Sequence, residues 1–245
     1  IAAAAAPSVK RVSQELGGKS PNIILPDADL KTAVEHGVDF CFGNVGQSCD
    51  APSRMLVHRD QYEEAVNIAR EFTLAVSVGD PQEHGDHMGP VISKTQFDKI
   101  QALIQVGIDE GASLVAGGVG KPMGFETGYY VKPTVFADVN NQMSIARDEI
   151  FGPVLVMIPY DTVDEAIEIA NDTVYGLAAC VSGTDKAQLE YVIRRLRAGS
   201  ISVNGNYQGY ASPFGGYKQS GNGREGGVFG LEEFLEAKTV AWLLD

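Results

Sequence analysis

The chain has 245 residues, 44% of them hydrophobic and 21% charged, enough for one large or two small domains with a real core. A formal net charge of −13 argues against nucleic acid or an anionic membrane surface as partner, since either would demand a basic patch, and no apolar run is long enough to span a membrane. Cys41, Cys49 and Cys180 are odd in number and lack metal-ligand spacing, which argues against a disulfide framework and for a reducing, cytoplasmic setting.

Ile1 stands where a start methionine would, and residues 1–6 lack the basic start of a signal peptide, so the chain reads as beginning inside something longer. Residues 9–14 alternate as a strand that Gly17-Gly18 ends, and 22–25 is a short apolar strand. Asp29 caps a helix over 30–42, whose apolar stripe includes Cys41. A strand at 54–58, a helix over 62–76 and a helix over 95–110 follow. Next comes a buried strand at 112–116, with further strands at 134–136 and 154–158. Thr162 caps a helix over 163–171. A strand at 177–181, a helix over 185–196 and a strand at 200–203 complete the alternation, which predicts an α/β fold with a mostly parallel sheet flanked by helices.

Chemistry concentrates in two stretches. Gly46-Gln47-Ser48-Cys49 places a cysteine among small and polar residues, where a substrate could reach the sulfur. Glu15 precedes two glycines, where the backbone can move. Read residue by residue, Glu15 is an exposed strand-end charge, Glu149 a helix-end charge beside a Gly-Pro turn, and Phe151 ordinary core. Three decoys fall away. Gly221-Asn222-Gly223-Arg224-Glu225-Gly226 fits a dinucleotide fingerprint, but only nineteen residues follow it, too few for the second half of a βαβ unit. Gly118-Val119-Gly120-Lys121 has Pro122 where a phosphate loop needs Ser or Thr. His84 and His87 lie in turn chemistry, with no residue completing a ligand set.

Four motifs, Glu15-Leu16-Gly17-Gly18-Lys19-Ser20-Pro21, Gly46-Gln47-Ser48-Cys49, Glu149-Ile150-Phe151-Gly152-Pro153 and Pro213-Phe214-Gly215-Gly216-Tyr217-Lys218-Gln219-Ser220-Gly221, resemble in order and spacing those of the NAD(P)-dependent aldehyde dehydrogenase superfamily. The resemblance implies the catalytic half of that fold. It divides the chain into a remnant of the cofactor-binding domain (1–17), the catalytic domain (18–219) and a return segment with an oligomerisation strand (220–245). It implies Cys49 as nucleophile and Glu15 as the base that deacylates it. Leu16, Gly17, Gln96, Glu149 and Phe151 would contact NAD or NADP. Residues 205–211 would shape the entrance for a small aldehyde substrate, and 238–244 would pair subunits into a homodimer or homotetramer. Asp50 departs from the family's usual neutral residue after the cysteine and would raise the thiol's pKa. The family's oxyanion asparagine has no counterpart here, which leaves the Cys49 N–H as donor, and the residues present are expected to be inactive by themselves. A non-enzymatic relative and a cofactor-free thiol esterase are the alternatives.

Overall fold

Three runs predicted as strands become neighbours at the centre of a seven-stranded sheet. The structure, a computed structural model, describes residues 1–206 and 209–243. In chain order the elements are α1 (Ala2–Ala5), β1 (Gln14–Glu15), β2 (Pro21–Ile24), α2 (Leu30–Phe42), β3 (Arg54–His58), α3 (Tyr62–Ala75) and α4 (Lys94–Asp109). There follow β4 (Ser113–Ala116), β5 (Thr134–Ala137), α5 (Ser144–Arg147), β6 (Val154–Tyr160), α6 (Val163–Asn171), β7 (Ala178–Ser182), α7 (Lys186–Ile193) and β8 (Ser200–Val203). The chain closes with β9 (Gly221–Asn222) and α8 (Gly227–Glu232).

The sheet order is β4-β5-β6-β3-β2-β7-β8, and only the β4–β5 pair is antiparallel. Ile23, Ile24, Met55, Leu56, Val57, Leu155, Val156 and Met157 have no exposed surface, as expected for parallel strands covered on both faces. The step from β2 to β3 runs one way along the sheet, and those from β6 to β7 and β7 to β8 run the other. Right-handed crossovers therefore put α2 on one face and α6 and α7 on the opposite one. The Tyr191 hydroxyl of α7 accordingly donates to Asp164 of α6 at 2.6 Å.

Helix α2 shows why local sequence suffices for most elements. The Asp29 carboxylate accepts the Thr32 N–H at 3.2 Å and fixes the start, while Ala33, Val34, Gly37, Val38, Cys41 and Phe42 bury one stripe. Gly37 is needed because a Cβ there would run into Asn22 and Met55 of the sheet.

Three expectations are corrected. Residues 9–13 form no strand: Val9 is left-handed at φ 54, and only Gln14–Glu15 pairs, because alternation without a neighbouring edge makes no ladder. Strand β4 is not buried; it is the antiparallel edge, with Ser113 and Leu114 exposed and a register break between Leu114 and Ala116. Helix α7 ends at Ile193 rather than 196. The pairing expected of residues 238–244 involves a second copy; in the single chain residues 238–243 adopt no regular structure, and Leu244 lies outside the described residues. No helix among the described residues is long and apolar enough to cross a membrane.

Candidate active site

Strands β2, β3, β6 and β7 run parallel, and the turns that feed them meet at one edge of the sheet. Gly17 and Gly18 precede β2, Cys49 precedes β3, Glu149 and Phe151 precede β6, and Gly176 precedes β7. Open α/β sheets generally bind ligands at the carboxyl ends of their strands. This site uses the amino ends.

Cys49 is delivered there by a strained turn. After α2 the chain passes through Asn44 (φ 49), Val45 (φ 59) and Gly46 (φ 68), three left-handed residues in a row. A valine in that region is costly and needs surrounding bonds to hold it. The Asn44 amide donates to the Gln47 carbonyl, and the Ile92 N–H donates to Gln47 Oε1, both at 2.9 Å. A Cβ on Gly46 would collide with Gly152, and one on Gly18 with the Cys49 carbonyl, so both glycines permit the close approach of neighbouring turns.

The half-buried Cys49 thiol has the Glu15 carboxylate as its neighbour, and each shifts the other. Burial pushes the thiol up to about 12, and Glu15 and Asp50 add to the rise; the Cys49 N–H acts against it. Asp50 in turn accepts the Ser48 hydroxyl at 2.5 Å. Glu15 is itself raised, chiefly by burial; Cys49 opposes that, while Glu225, Asp50 and Glu149 add to it. The thiol is thus neutral at rest. Acidity does not distinguish Cys49, since burial pushes Cys41 and Cys180 up to about 12 as well. What distinguishes it is the carboxylate partner.

Glu149 accepts the Gly18 N–H at 2.9 Å, and its carboxylate lies where a side chain on Gly17 would have to go. The Lys99 ammonium donates to the Glu149 carbonyl at 2.7 Å. Gln96 donates its amide to the carbonyls of Ile150 (2.9 Å) and Phe151 (2.8 Å), which fixes Phe151 in its left-handed conformation at φ 57. Gln96 therefore reaches the site through the backbone of this turn. Cys49, Glu15, Leu16, Gly17, Glu149 and Phe151 converge at the sheet edge. Of the entrance loop, Tyr207 and Gln208 lie outside the described residues. Among the described residues no group of His, Cys, Asp or Glu could hold a metal ion.

Two site-building residues carry no local signal in the sequence. Arg54 is fully buried and donates to the carbonyls of Lys19, Ile169 and Ala170 and to Asn141 Oδ1. Ser220, also fully buried, donates to the Gly17 carbonyl and accepts the Gly176 N–H. Lys19 sits beneath the site with its amine unbonded among the described residues; burial and the neighbouring Arg54 pull it down to about 7.

The profile of the aldehyde dehydrogenase family matches residues 1–240. A 3-succinoylsemialdehyde-pyridine dehydrogenase from a Pseudomonas species is 52% identical over 240 residues, covering 98% of this chain and 50% of that protein. A putative aldehyde dehydrogenase of Staphylococcus haemolyticus is 51% identical, covering 95% of this chain and 49% of its own length. Among solved structures, a cysteine-to-alanine variant of aldehyde dehydrogenase C from Pseudomonas syringae, in complex with NAD+ and octanal, superposes with a TM-score of 0.94 at 55% identity over 96% of this chain and 48% of that one. A Mycobacterium tuberculosis aldehyde dehydrogenase complexed with NAD+ gives 0.92 at 46% identity, over 95% of this chain and 48% of that one. The chain spans about half the length of the relatives it matches. With these matches and this sheet edge, the chain belongs to the aldehyde dehydrogenase family.

Proposed function

We propose that this chain carries the catalytic centre of an enzyme that oxidises an aldehyde to a carboxylic acid with NAD or NADP. The observation that carries the reading is the placing of the half-buried Cys49 thiol next to the Glu15 carboxylate at the amino ends of the strands. The thiol gives up its proton to solvent as the sulfur attacks the carbonyl carbon, and the Cys49 N–H faces the developing oxyanion. The dinucleotide, when bound, supplies a hydride acceptor and a positive ring that offsets the surrounding carboxylates. Loss of hydride from the thiohemiacetal leaves a thioester on Cys49. Glu15 then takes a proton from water, hydroxide adds to the thioester, and the sulfur departs with the acid released.

The residues fit a dinucleotide at its nicotinamide end. Glu149 commits one oxygen to Gly18 and keeps another for ribose hydroxyls, and Phe151, held outward by Gln96, offers a ring beside them. The backbone of Leu16 and Gly17 lines the facing side. Relatives in complex with NAD+ support this assignment. The test is covalent. Acid quenching during turnover of a straight-chain aldehyde should trap an acyl group on Cys49, and only when NAD+ or NADP+ is present. An adduct on Cys41 or Cys180 would reject the nucleophile, and acylation by esters alone would favour a cofactor-free esterase.

The reading extends to assembly. Val240, Trp242 and Leu243 are 67%, 80% and 88% exposed, in a segment whose Thr239, Val240 and Trp242 favour a strand. We assign residues 238–244 to pairing with a second copy in a homodimer or homotetramer. Light scattering is expected to give a dimer or larger. A chain ending at Ala237 should have a lower assembly mass, and an unchanged mass would remove the assignment.

A further inference from the structure

We propose that residues 220–222, anchored by Ser220, form a fastener that positions Glu15 against Cys49. The inference rests on the assignment of Glu15 as partner of the Cys49 thiol. Glu15 belongs to a strand of two residues that has no place in the main sheet. Among the described residues its only ladder is the antiparallel pairing of Gln14 with Asn222 and of Glu15 with Gly221. The chain before it, residues 9–13, is irregular. The position of the carboxylate is therefore decided by what grips its flanks.

Those grips come from the far end of the sequence. On one side the Leu16 N–H donates to the Ser220 carbonyl at 3.0 Å. On the other the Gln14 N–H donates to Asn222 Oδ1 at 3.0 Å. The Ser220 hydroxyl then ties this ribbon to the main sheet. It donates to the Gly17 carbonyl at 2.6 Å and accepts from the Gly176 N–H, which leads into β7, at 3.0 Å. One buried oxygen thus uses its donor and an acceptor position on backbone groups from two separate turns. The contact admits no bulk. A Cβ on Gly221, at φ 118, would meet the Gln14 carbonyl, and one on Gly216 would meet Ser220 itself. An alanine at 220 would leave the Gly17 carbonyl and the Gly176 N–H without their partner, and the ribbon would be free to shift away from the thiol.

A structural role alone would change stability. A positioning role must also change the thiol, because Glu15 disfavours its ionisation. The experiment is the pH profile of iodoacetamide labelling at Cys49, followed by peptide mapping, with thermal melting recorded alongside. Glu15→Gln is expected to move the inflection down by about one unit or more. Ser220→Ala is expected to move it in the same direction by at least half as much. The double variant should move it no further than Glu15→Gln alone, since both act through one carboxylate. Asn222→Ala removes only an exposed side chain, leaves the core intact, and should produce a smaller downward shift; it decides the matter if Ser220→Ala does not fold. Wild-type profiles for Ser220→Ala and Asn222→Ala, with a shifted profile for Glu15→Gln, would overturn the fastener and leave the Glu15–Cys49 pair standing. No shift for Glu15→Gln would overturn both.

Discussion

Replacing Glu15 with glutamine is expected to leave the first turnover intact and to cut steady-state aldehyde oxidation by about 10²–10⁴-fold, the range for loss of a positioned general base. Glutamine keeps the length and polarity of the side chain but cannot take a proton from water. Cys49 would still add to the aldehyde, because removing a carboxylate that pushes the thiol up makes the thiolate easier to form. Hydride transfer would follow, and the thioester would persist. Stopped-flow absorbance of the active enzyme should show a burst of reduced dinucleotide of about one equivalent per site, then a slow phase. Mass spectrometry in the slow phase should find the acyl group on Cys49. Normal steady-state turnover by the variant would rule out Glu15 as the base. A lost burst with no adduct would place its main role before hydride transfer.

The largest stability effect is expected at Arg54. Its guanidinium, without exposed surface, holds the start of β3 to the end of α6 and to the turn before β2. Arg54→Ala strands the carbonyls of Lys19, Ile169 and Ala170 and leaves a cavity, a loss of about 3–5 kcal/mol. Equilibrium urea unfolding would measure it. Arg54→Met fills much of the volume without restoring the donors and should fall between the two. Burial already holds the guanidinium down at about 10, so the bonds offset a real desolvation cost. A change below about 1 kcal/mol in Arg54→Ala would mean that the carbonyls find other donors. Because Arg54 fixes Lys19 and the strand that follows Cys49, the variant should also loosen the site.

The separation between what the chain spells out and what the fold decides follows the range of the interactions. Helices α2, α3, α4 and α6 and strands β3 and β8 were legible to within a residue or two, since a cap and a buried stripe are local properties. Alternation of such elements was enough for a mostly parallel sheet, and the four motifs were enough for the family. Pairing was not legible. The strand expected at 9–14 shrank to two residues, and β4 proved to be an exposed edge, because a strand's fate depends on a partner remote in sequence. Nor did the sequence say that the motifs meet at the amino ends of the strands. That meeting depends on register, which aligns the starts of β2 and β3 and sets the start of β6 two residues ahead of them. Asp50 beside Cys49 already pointed to a raised thiol, but the larger cause, burial, exists only once the turns are assembled. The hydrogen bond from Ser220 to Gly17 spans 203 positions, so no local pattern could reveal it. The sequence by itself determined the family and the motifs that carry it. The tertiary structure decided how they are held, because burial and orientation arise only when distant turns close on one another.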